Sequence, residues 1–338
     1  GWCVKYLFDS LCGELVTNDP KVLQATFGAL VGDGLTNSLW HFSFLTLTCG
    51  VVALGVVNGI ERLSKYLLPT LFILMIVIMI RSLSLPGAME GVKFLFMPRW
   101  EDFSGSALFN AMGFCFFSLS LGAGTMITYG TYLSDKANLP GSVGWVAVLA
   151  ILSSLLGGLM VMPAVFAFGL DPAAGPGLTF VTMPAIFSKM PMGQLFAVFF
   201  YVCLVVAALT SSVSMLEACT ALLSKEFNLP RRTAIFTTVA GAAVVGLIAN
   251  LSFGAWSDVK FFGKNIFDLL DFVTSNVGMP LSTFGIAIAA AWVAWPVMRN
   301  QLKYEGGVSD SWLKAARILI GVISPLFVLI VALGGLFG

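Results

Sequence analysis

Residues Phe116-Phe117-Ser118-Leu119-Ser120-Leu121-Gly122-Ala123-Gly124 set two hydroxyls and two glycines inside a long apolar run. A helix can cross hydrocarbon because it pairs its own backbone polar groups. Two glycines spaced one residue apart, just after two serines, favour local unwinding of such a helix. Unwound backbone at membrane depth persists where protein buries it or where it lines a cavity. In transporters it coordinates substrate and ion. A second stretch, Ala207-Ala208-Leu209-Thr210-Ser211-Ser212, places further hydroxyls in another apolar segment. Together the two stretches predict a binding site in the middle of a membrane.

The rest of the chain has the same character. Of 338 residues, 58% are hydrophobic and 10% charged, and mean hydropathy is +0.94. A soluble domain carries about 25% charged residues, so the expectation is an all-α, polytopic membrane protein. A net charge of +1 without any basic run argues against a nucleic-acid partner. The six cysteines, Cys3, Cys12, Cys49, Cys115, Cys203 and Cys219, fit neither a zinc spacing nor a disulfide framework and read as small buried hydrophobes. His41, the only histidine, reads as interfacial packing beside Trp40. With one histidine no set of nucleophile, base and orienter can be assembled, so the chain does not read as an enzyme. Residue 1 does not begin a signal peptide. The chain opens inside an apolar run without an initiator methionine and reads as cut.

A spanning helix needs about 20 mainly apolar residues. Spans are expected near 40–58, 66–84, 107–131, 143–169, 193–222, 233–251, 266–296 and 313–337, after a partial span over 1–16. The stretch 266–296 is long for one span, which implies tilt or extension past the bilayer. Residues 58–65 read as a short connection, and Leu85-Pro86-Gly87 opens a longer one reaching Ser106. Asp171 to Gly177 reads as a sharp turn. Leu178 to Met190 is too short to span and reads as a re-entrant or surface helix. Leu229 to Arg232 and Arg299 to Asp310 are further hydrophilic connections. Placing 58–65 on the cytosolic side gathers slightly more Lys and Arg inside than outside.

These motifs, taken in order, resemble the neurotransmitter:sodium symporter family. Residues 116–124 resemble its unwound sixth helix and 207–212 its eighth. Gly59-Ile60-Glu61-Arg62-Leu63-Ser64-Lys65, Gly91 to Phe96, Phe168 to Gly177 and Phe267-Asp268-Leu269-Leu270-Asp271-Phe272 match collinearly, so the resemblance covers essentially the whole chain. It is nearest in kind to bacterial sodium-dependent amino-acid transporters with eleven helices. The resemblance implies an inverted-repeat fold of the leucine-transporter type in one membrane domain over 1–338. Within it, 1–84 would be the remainder of the first repeat, 107–296 the second repeat and 313–337 an additional C-terminal helix. Gly1-Trp2 resembles the Gly-Trp a few residues after the tyrosine that helix three adds to the site, so helices one and two and the start of helix three would precede residue 1.

Carried residue by residue, the resemblance makes Phe117 an aromatic lid over the substrate and Asp271 an outer-gate carboxylate. The family partner of Asp271 is an arginine on helix one. Ser118 and Ser120 would flank the unwound turn at Gly122 and Gly124, Ser120 facing substrate and Ser118 serving both substrate and sodium. Ala123, where several relatives carry a larger side chain, implies a roomier apolar pocket. The Ala207 carbonyl with the Thr210 and Ser211 hydroxyls resembles the second sodium site, and Ser211 and Met215 would also meet the substrate. Three neutral oxygens suit a monovalent ion better than calcium. The alternatives are a lipid- or core-facing Phe117, serines bonded back to their own helix, a small-residue packing face at 207–212, and a solvated helix end at Asp268 and Asp271. Glu217 reads either as a functional intramembrane carboxylate or as a residue near the cytosolic surface.

The chain departs from the family pattern in two places. The helix-seven asparagine or aspartate of the first sodium site corresponds to Leu149 or Ala150, and the chloride-site glutamine to Phe114. Ser153 or Ser154 matches the helix-seven serine of chloride-dependent members. The expectation is an intact second sodium site, a weakened first one and no chloride dependence. The function implied is sodium-coupled symport of small amino acids, hydrophobic or aromatic, by alternating access in the cell membrane. Sodium, the amino acid and the lipid bilayer are the expected partners, and no cofactor beyond the coupling ion is expected. The rival reading is a non-transporting scaffold or split partner derived from the same family.

Overall fold

The computed structural model describes residues 1–338 apart from 15–18, 135–136, 171, 173–174, 304–308 and 338. The α-helices, in chain order, are α1 (Trp2–Cys12), α2 (Pro20–Gly32), α3 (Gly34–Ala53), α4 (Arg62–Leu83), α5 (Ala88–Phe96), α6 (Gly105–Ser118), α7 (Thr125–Gly130) and α8 (Leu139–Ala167). They continue as α9 (Met183–Lys189), α10 (Gly193–Glu226), α11 (Arg231–Leu251), α12 (Ile266–Asp271), α13 (Met279–Ile288), α14 (Trp295–Lys303), α15 (Asp310–Ile318) and α16 (Ser324–Phe337). Wider π-helical turns at Val56–Glu61, Phe272–Gly278, Ala289–Val293 and Leu319–Ile323 run directly into neighbouring helices, and Leu178–Thr182 leads into α9.

Among the described residues, six helical stretches are long and apolar enough to cross a membrane: Gly59–Leu83, Leu139–Ala167, Gly193–Glu226, Arg231–Leu251, Ile266–Val293 and Asp310–Ile330. Two expected spans are not among them. Residues 107–131 are divided by a break after Ser118, so neither piece is long enough. The 40–58 span is carried by α3, which includes Thr36, Asn37, Ser38, His41, Ser43, Thr46 and Thr48 and so falls short on apolarity rather than length.

The chain divides into two contact-dense units, Gly1–Pro98 with Ser153–Phe267, and Arg99–Leu152 with Asp268–Gly338. In the first unit α10 is the axis, packed by α1, α3, α4, α9 and α11. The core follows it: Tyr6, Met183, Ile186, Phe200 and Tyr201 on one stretch, and Val52, Val213, Leu216 and Ile235 on another. The segment expected as a re-entrant or surface helix is buried here, with Phe180, Met183, Ala185, Ile186 and Phe187 all inside. Tyr201 Oη donates to the Thr179 carbonyl at 3.0 Å and fastens that segment to α10. In the second unit α13 packs against α16, and both meet α6.

Several expectations need correction. Residues 58–65 are no connection: the chain turns at Leu54 and Gly55, where Gly55 takes φ 89°, and is helical from Val56 onward. Gly59 allows this, since a side chain there would overlap the Val51 carbonyl oxygen of α3. Residues 20–32 form α2, which no expected span covered. His41 packs its ring on Gly246 of α11. Of the cysteines, Cys203 is buried, whereas Cys12, Cys115 and Cys219 are exposed. The turn at Asp171–Gly177 includes Asp171, Ala173 and Ala174, which lie outside the described residues.

Candidate functional site

In the second unit α6 begins under a serine cap, with the Ala107 N–H donating to Ser104 Oγ at 3.1 Å. It stops at Ser118 although the apolar sequence continues. The Leu121 N–H reaches back to the Phe116 carbonyl at 2.9 Å, and the Ser120 N–H to that of Phe117 at 3.0 Å. This crossed pair is the Schellman closure, which needs a left-handed residue at its turn. Ser120 supplies it at φ 52°, a conformation costing an L-residue about 1–2 kcal/mol that glycine would not incur. Gly122 (φ 83°) and Gly124 (φ 76°) repeat the left-handed step at alternate positions. The helix resumes at Thr125, with the Thr128 N–H donating to the Gly124 carbonyl at 3.0 Å.

The break is held in place from behind. Gly122 lies so close to α13 that a side chain would overlap the Met279 carbonyl oxygen and come within 2.6 Å of Thr283 Oγ1. A cavity of about 80 Å³ lies at this junction, lined by Ser120, Gly122, Gly124, Met126, Thr283 and Ile286 among others. Among the described residues, the N–H groups of Gly122, Ala123 and Gly124 donate to no acceptor, and the Ser118 and Ser120 hydroxyls make no hydrogen bond. The serines therefore do not bond back to their own helix. Phe117 is 54% exposed, Ser118 is exposed, and Ser120 and Ala123 are half-buried. Asp271 closes α12, and its Oδ1 accepts from Ser275 Oγ at 2.9 Å.

The hydroxyls of α10 belong to the first unit, and they divide by face. Thr210 Oγ1 donates to the Ala207 carbonyl at 2.9 Å, so the i to i+3 spacing does bring these two oxygens together. Ser212 points inward, donating to the Leu209 carbonyl at 3.0 Å and meeting Thr48 Oγ of α3 at 2.9 Å. Ser211 makes no hydrogen bond among the described residues and is exposed, as is Met215 one turn on. Ala207, Thr210 and Ser211 thus offer a carbonyl and two hydroxyl oxygens from one helix. Such hard, uncharged donors suit a monovalent cation. Among the described residues, no group of three His, Cys, Asp or Glu side chains could hold a metal ion.

Glu217 is a paired carboxylate. It is fully buried, 0% exposed, and takes two bonds from Arg231 at the start of α11, Nη1 to Oε1 at 2.9 Å and Nη2 to Oε2 at 2.7 Å. Arg231 Nη2 also donates to the Val52 carbonyl at the end of α3 at 3.1 Å. A buried carboxylate is tolerated when paired and hydrogen-bonded in this manner. Arg231 was not foreseen, nor was Thr125, whose Oγ1 is buried beside the break and has no hydrogen-bond partner among the described residues. For Arg231 the available signal was a cation opening the helix after an apolar segment that carries one carboxylate. For Thr125 there was none beyond its place after Gly124.

Comparison with known proteins follows the same order of elements. Residues 34–337 match the family described as the sodium:neurotransmitter symporter family. An uncharacterized sodium-dependent transporter of Bacillus subtilis, YhdH, is 37% identical over 98% of this chain and 74% of its own length. One from Haemophilus influenzae is 33% identical over 100% of this chain and 74% of its own. The crystal structure of MhsT in complex with L-phenylalanine superposes with a TM-score of 0.89 at 37% identity, covering 99% of this chain and 76% of that one.

Proposed function

Because this chain belongs to the sodium:neurotransmitter symporter family, a family of sodium-dependent transporters and not of enzymes, we propose that it carries hydrophobic or aromatic amino acids by alternating access across the cell membrane. The observation that carries the reading is the break after Ser118, a helix stopped inside an apolar run with two unbonded hydroxyls and free backbone N–H groups.

The chemistry follows from what that break exposes. The last carbonyls of α6 carry the negative end of its dipole and suit an ammonium group. The Ser118 and Ser120 hydroxyls supply further oxygens, for substrate and, at Ser118, for sodium. Phe117 is an exposed ring beside them that excludes water when it changes rotamer. Ala123 and Met215 leave room for a large apolar side chain, and MhsT, the solved relative, was crystallised with L-phenylalanine. Ala207, Thr210 and Ser211 hold a sodium ion, with Ser211 also touching substrate, and Asp271 serves the outer gate. Leu149 or Ala150 in α8 weakens a first sodium site, and Phe114 removes the glutamine a chloride site uses. Residues 1–84 are the remainder of the first inverted repeat and 107–296 the second, with 313–337 added. Sodium and amino acid each stabilise the ordered site, so each tightens the other by the same factor.

Binding of tritiated L-phenylalanine to the purified protein, in sodium and then in potassium, tests this. Saturable binding that requires sodium and is displaced by other large apolar amino acids is expected. Equal binding in both salts, or none for any amino acid in sodium, would overturn the reading in favour of a non-transporting scaffold.

A further inference from the structure

We infer that the corner where α13 passes through its π-helical turn into α14, beside α15, binds the headgroup of an anionic phospholipid. The central residue is Arg317. It lies seven residues into the spanning stretch Asp310–Ile330, about 10 Å along the helix axis. A cation at that depth is costly unless it reaches the headgroup layer or a counter-ion.

Arg317 is held where it stands. Its Nε donates to the Ala291 carbonyl at 3.1 Å, and its guanidinium carbon lies 5.6 Å from the ring centroids of both Trp292 and Trp295. Trp292 is fixed in turn, its Nε1 donating to the Gly321 carbonyl at 3.1 Å. Among the described residues, no acceptor engages the Nη groups of Arg317. Docked on one side and walled by two rings, the guanidinium presents the paired N–H edge that matches a phosphate in two-pronged fashion.

The surroundings select a lipid over a free anion. Trp292 is 60% exposed and Trp312 45%, and tryptophans of this kind mark the membrane–water boundary. Ile318 and Leu319, next along the helix, expose more than half of their surface, an apolar wall for an acyl chain below the headgroup. Lys314, exposed one turn before Arg317, adds a second cation. The nearby carboxylate of Asp310 is engaged by Arg299 at 3.3 Å. The inference needs only the membrane placement of this corner and is independent of transport.

The test reconstitutes the protein in nanodiscs of phosphatidylcholine, with or without a quarter of phosphatidylglycerol, and follows thermal unfolding together with lipid retention by native mass spectrometry. Phosphatidylglycerol is expected to raise Tm and to be retained, while millimolar glycerol phosphate does neither. Arg317→Gln is expected to weaken phosphatidylglycerol retention about tenfold, the loss of one charge-assisted pair, with Arg317→Lys intermediate. Lys314→Gln, on an exposed side chain that leaves the packing intact, should lower retention by a smaller factor. Equal responses to the two lipids, an Arg317→Gln variant with undiminished retention, or an equal loss in Lys189→Gln, a control on α9 of the other unit, would each overturn the site. So would equal stabilisation by glycerol phosphate. If Arg317→Gln does not fold, unchanged retention in Lys314→Gln and Arg317→Lys overturns it equally.

Discussion

Gly122 and Met279 sit backbone to backbone: the missing side chain of the one would occupy the space of the other's carbonyl oxygen. The break in the sixth-helix motif is thus set directly on α13, and Gly122 answers two demands at once, the contact and a φ of 83°. Gly122→Ala is expected to displace the break. The left-handed cost alone is about 1–2 kcal/mol, and the overlap adds to it. Sodium-dependent amino-acid binding should fall by more than tenfold while the far-UV helix signal is retained, which equilibrium binding and circular dichroism read separately.

Ser120 takes the position where a Schellman closure usually has glycine. Ser120→Gly should relieve about 1 kcal/mol of backbone strain and raise Tm. It also removes an unbonded hydroxyl, so amino-acid affinity in sodium should drop. A variant that gains stability and keeps full affinity would show that the hydroxyl has no role in binding.

Ser211 is exposed while its neighbour Ser212, about 100° around α10, is half-buried and bonded to Thr48, which makes a matched pair of substitutions informative. Ser211→Ala should raise the sodium concentration needed for half-saturation severalfold with little change in Tm. Ser212→Ala breaks the bond to Thr48 and should cost about 0.5–1.5 kcal/mol of stability, leaving sodium dependence unchanged. Sodium titrations and thermal melts of the two proteins check both halves.

The Glu217–Arg231 pair should behave as buried pairs do. Removing either partner leaves the other uncompensated and is expected to cost about 3–5 kcal/mol. Replacing both by leucine should recover much of that loss, because the desolvation of two charges disappears with them. Urea or thermal unfolding of the two single variants and the double variant measures the coupling.

Asp33 caps α3, accepting from the Leu35 N–H at 3.1 Å and from Thr36 Oγ1 at 2.6 Å. The Thr36 hydroxyl, followed by backbone N–H groups, holds its carboxyl below the usual carboxylate range. A lowered folded pKa contributes stability that is present above the unfolded value near 4 and is lost as pH falls through the folded value. The Tm difference between the native protein and Asp33→Asn should therefore be constant near neutrality and shrink below about pH 4.

Much of this was legible in the residues themselves. The break at 119–124 follows from glycines and hydroxyls in an apolar run, and the structure ends α6 at the residue before it. The oxygens of Ala207 and Thr210 meet because helical geometry brings i and i+3 together. Other features depend on partners remote in sequence. Burial of Leu178–Lys189 required Tyr201, and burial of Glu217 required its partner Arg231, itself anchored on the Val52 carbonyl. Helix α2 was missed although Asp19 and Asp33 are both capping residues, because a search for 20-residue apolar spans passes over a 13-residue helix. The connection expected at 58–65 failed for a related reason. Charged residues there suggested a loop, whereas Glu61, Arg62 and Lys65 lie on helical turns that remain exposed or half-buried.

The π-helical turns have a consequence for how the chain can change length. Each such turn accommodates one residue more than the α-helix around it, and four of them, beginning at Val56, Phe272, Ala289 and Leu319, lie within or beside the spanning stretches. A one-residue deletion inside Val56–Glu61 or Leu319–Ile323 would let the segment close to regular α-helix and leave the flanking faces in register. The same deletion in the uninterrupted middle of α10 would rotate every later side chain by about 100°. Lineages of this chain that differ by a single residue within a span should therefore carry the difference at the wide turns.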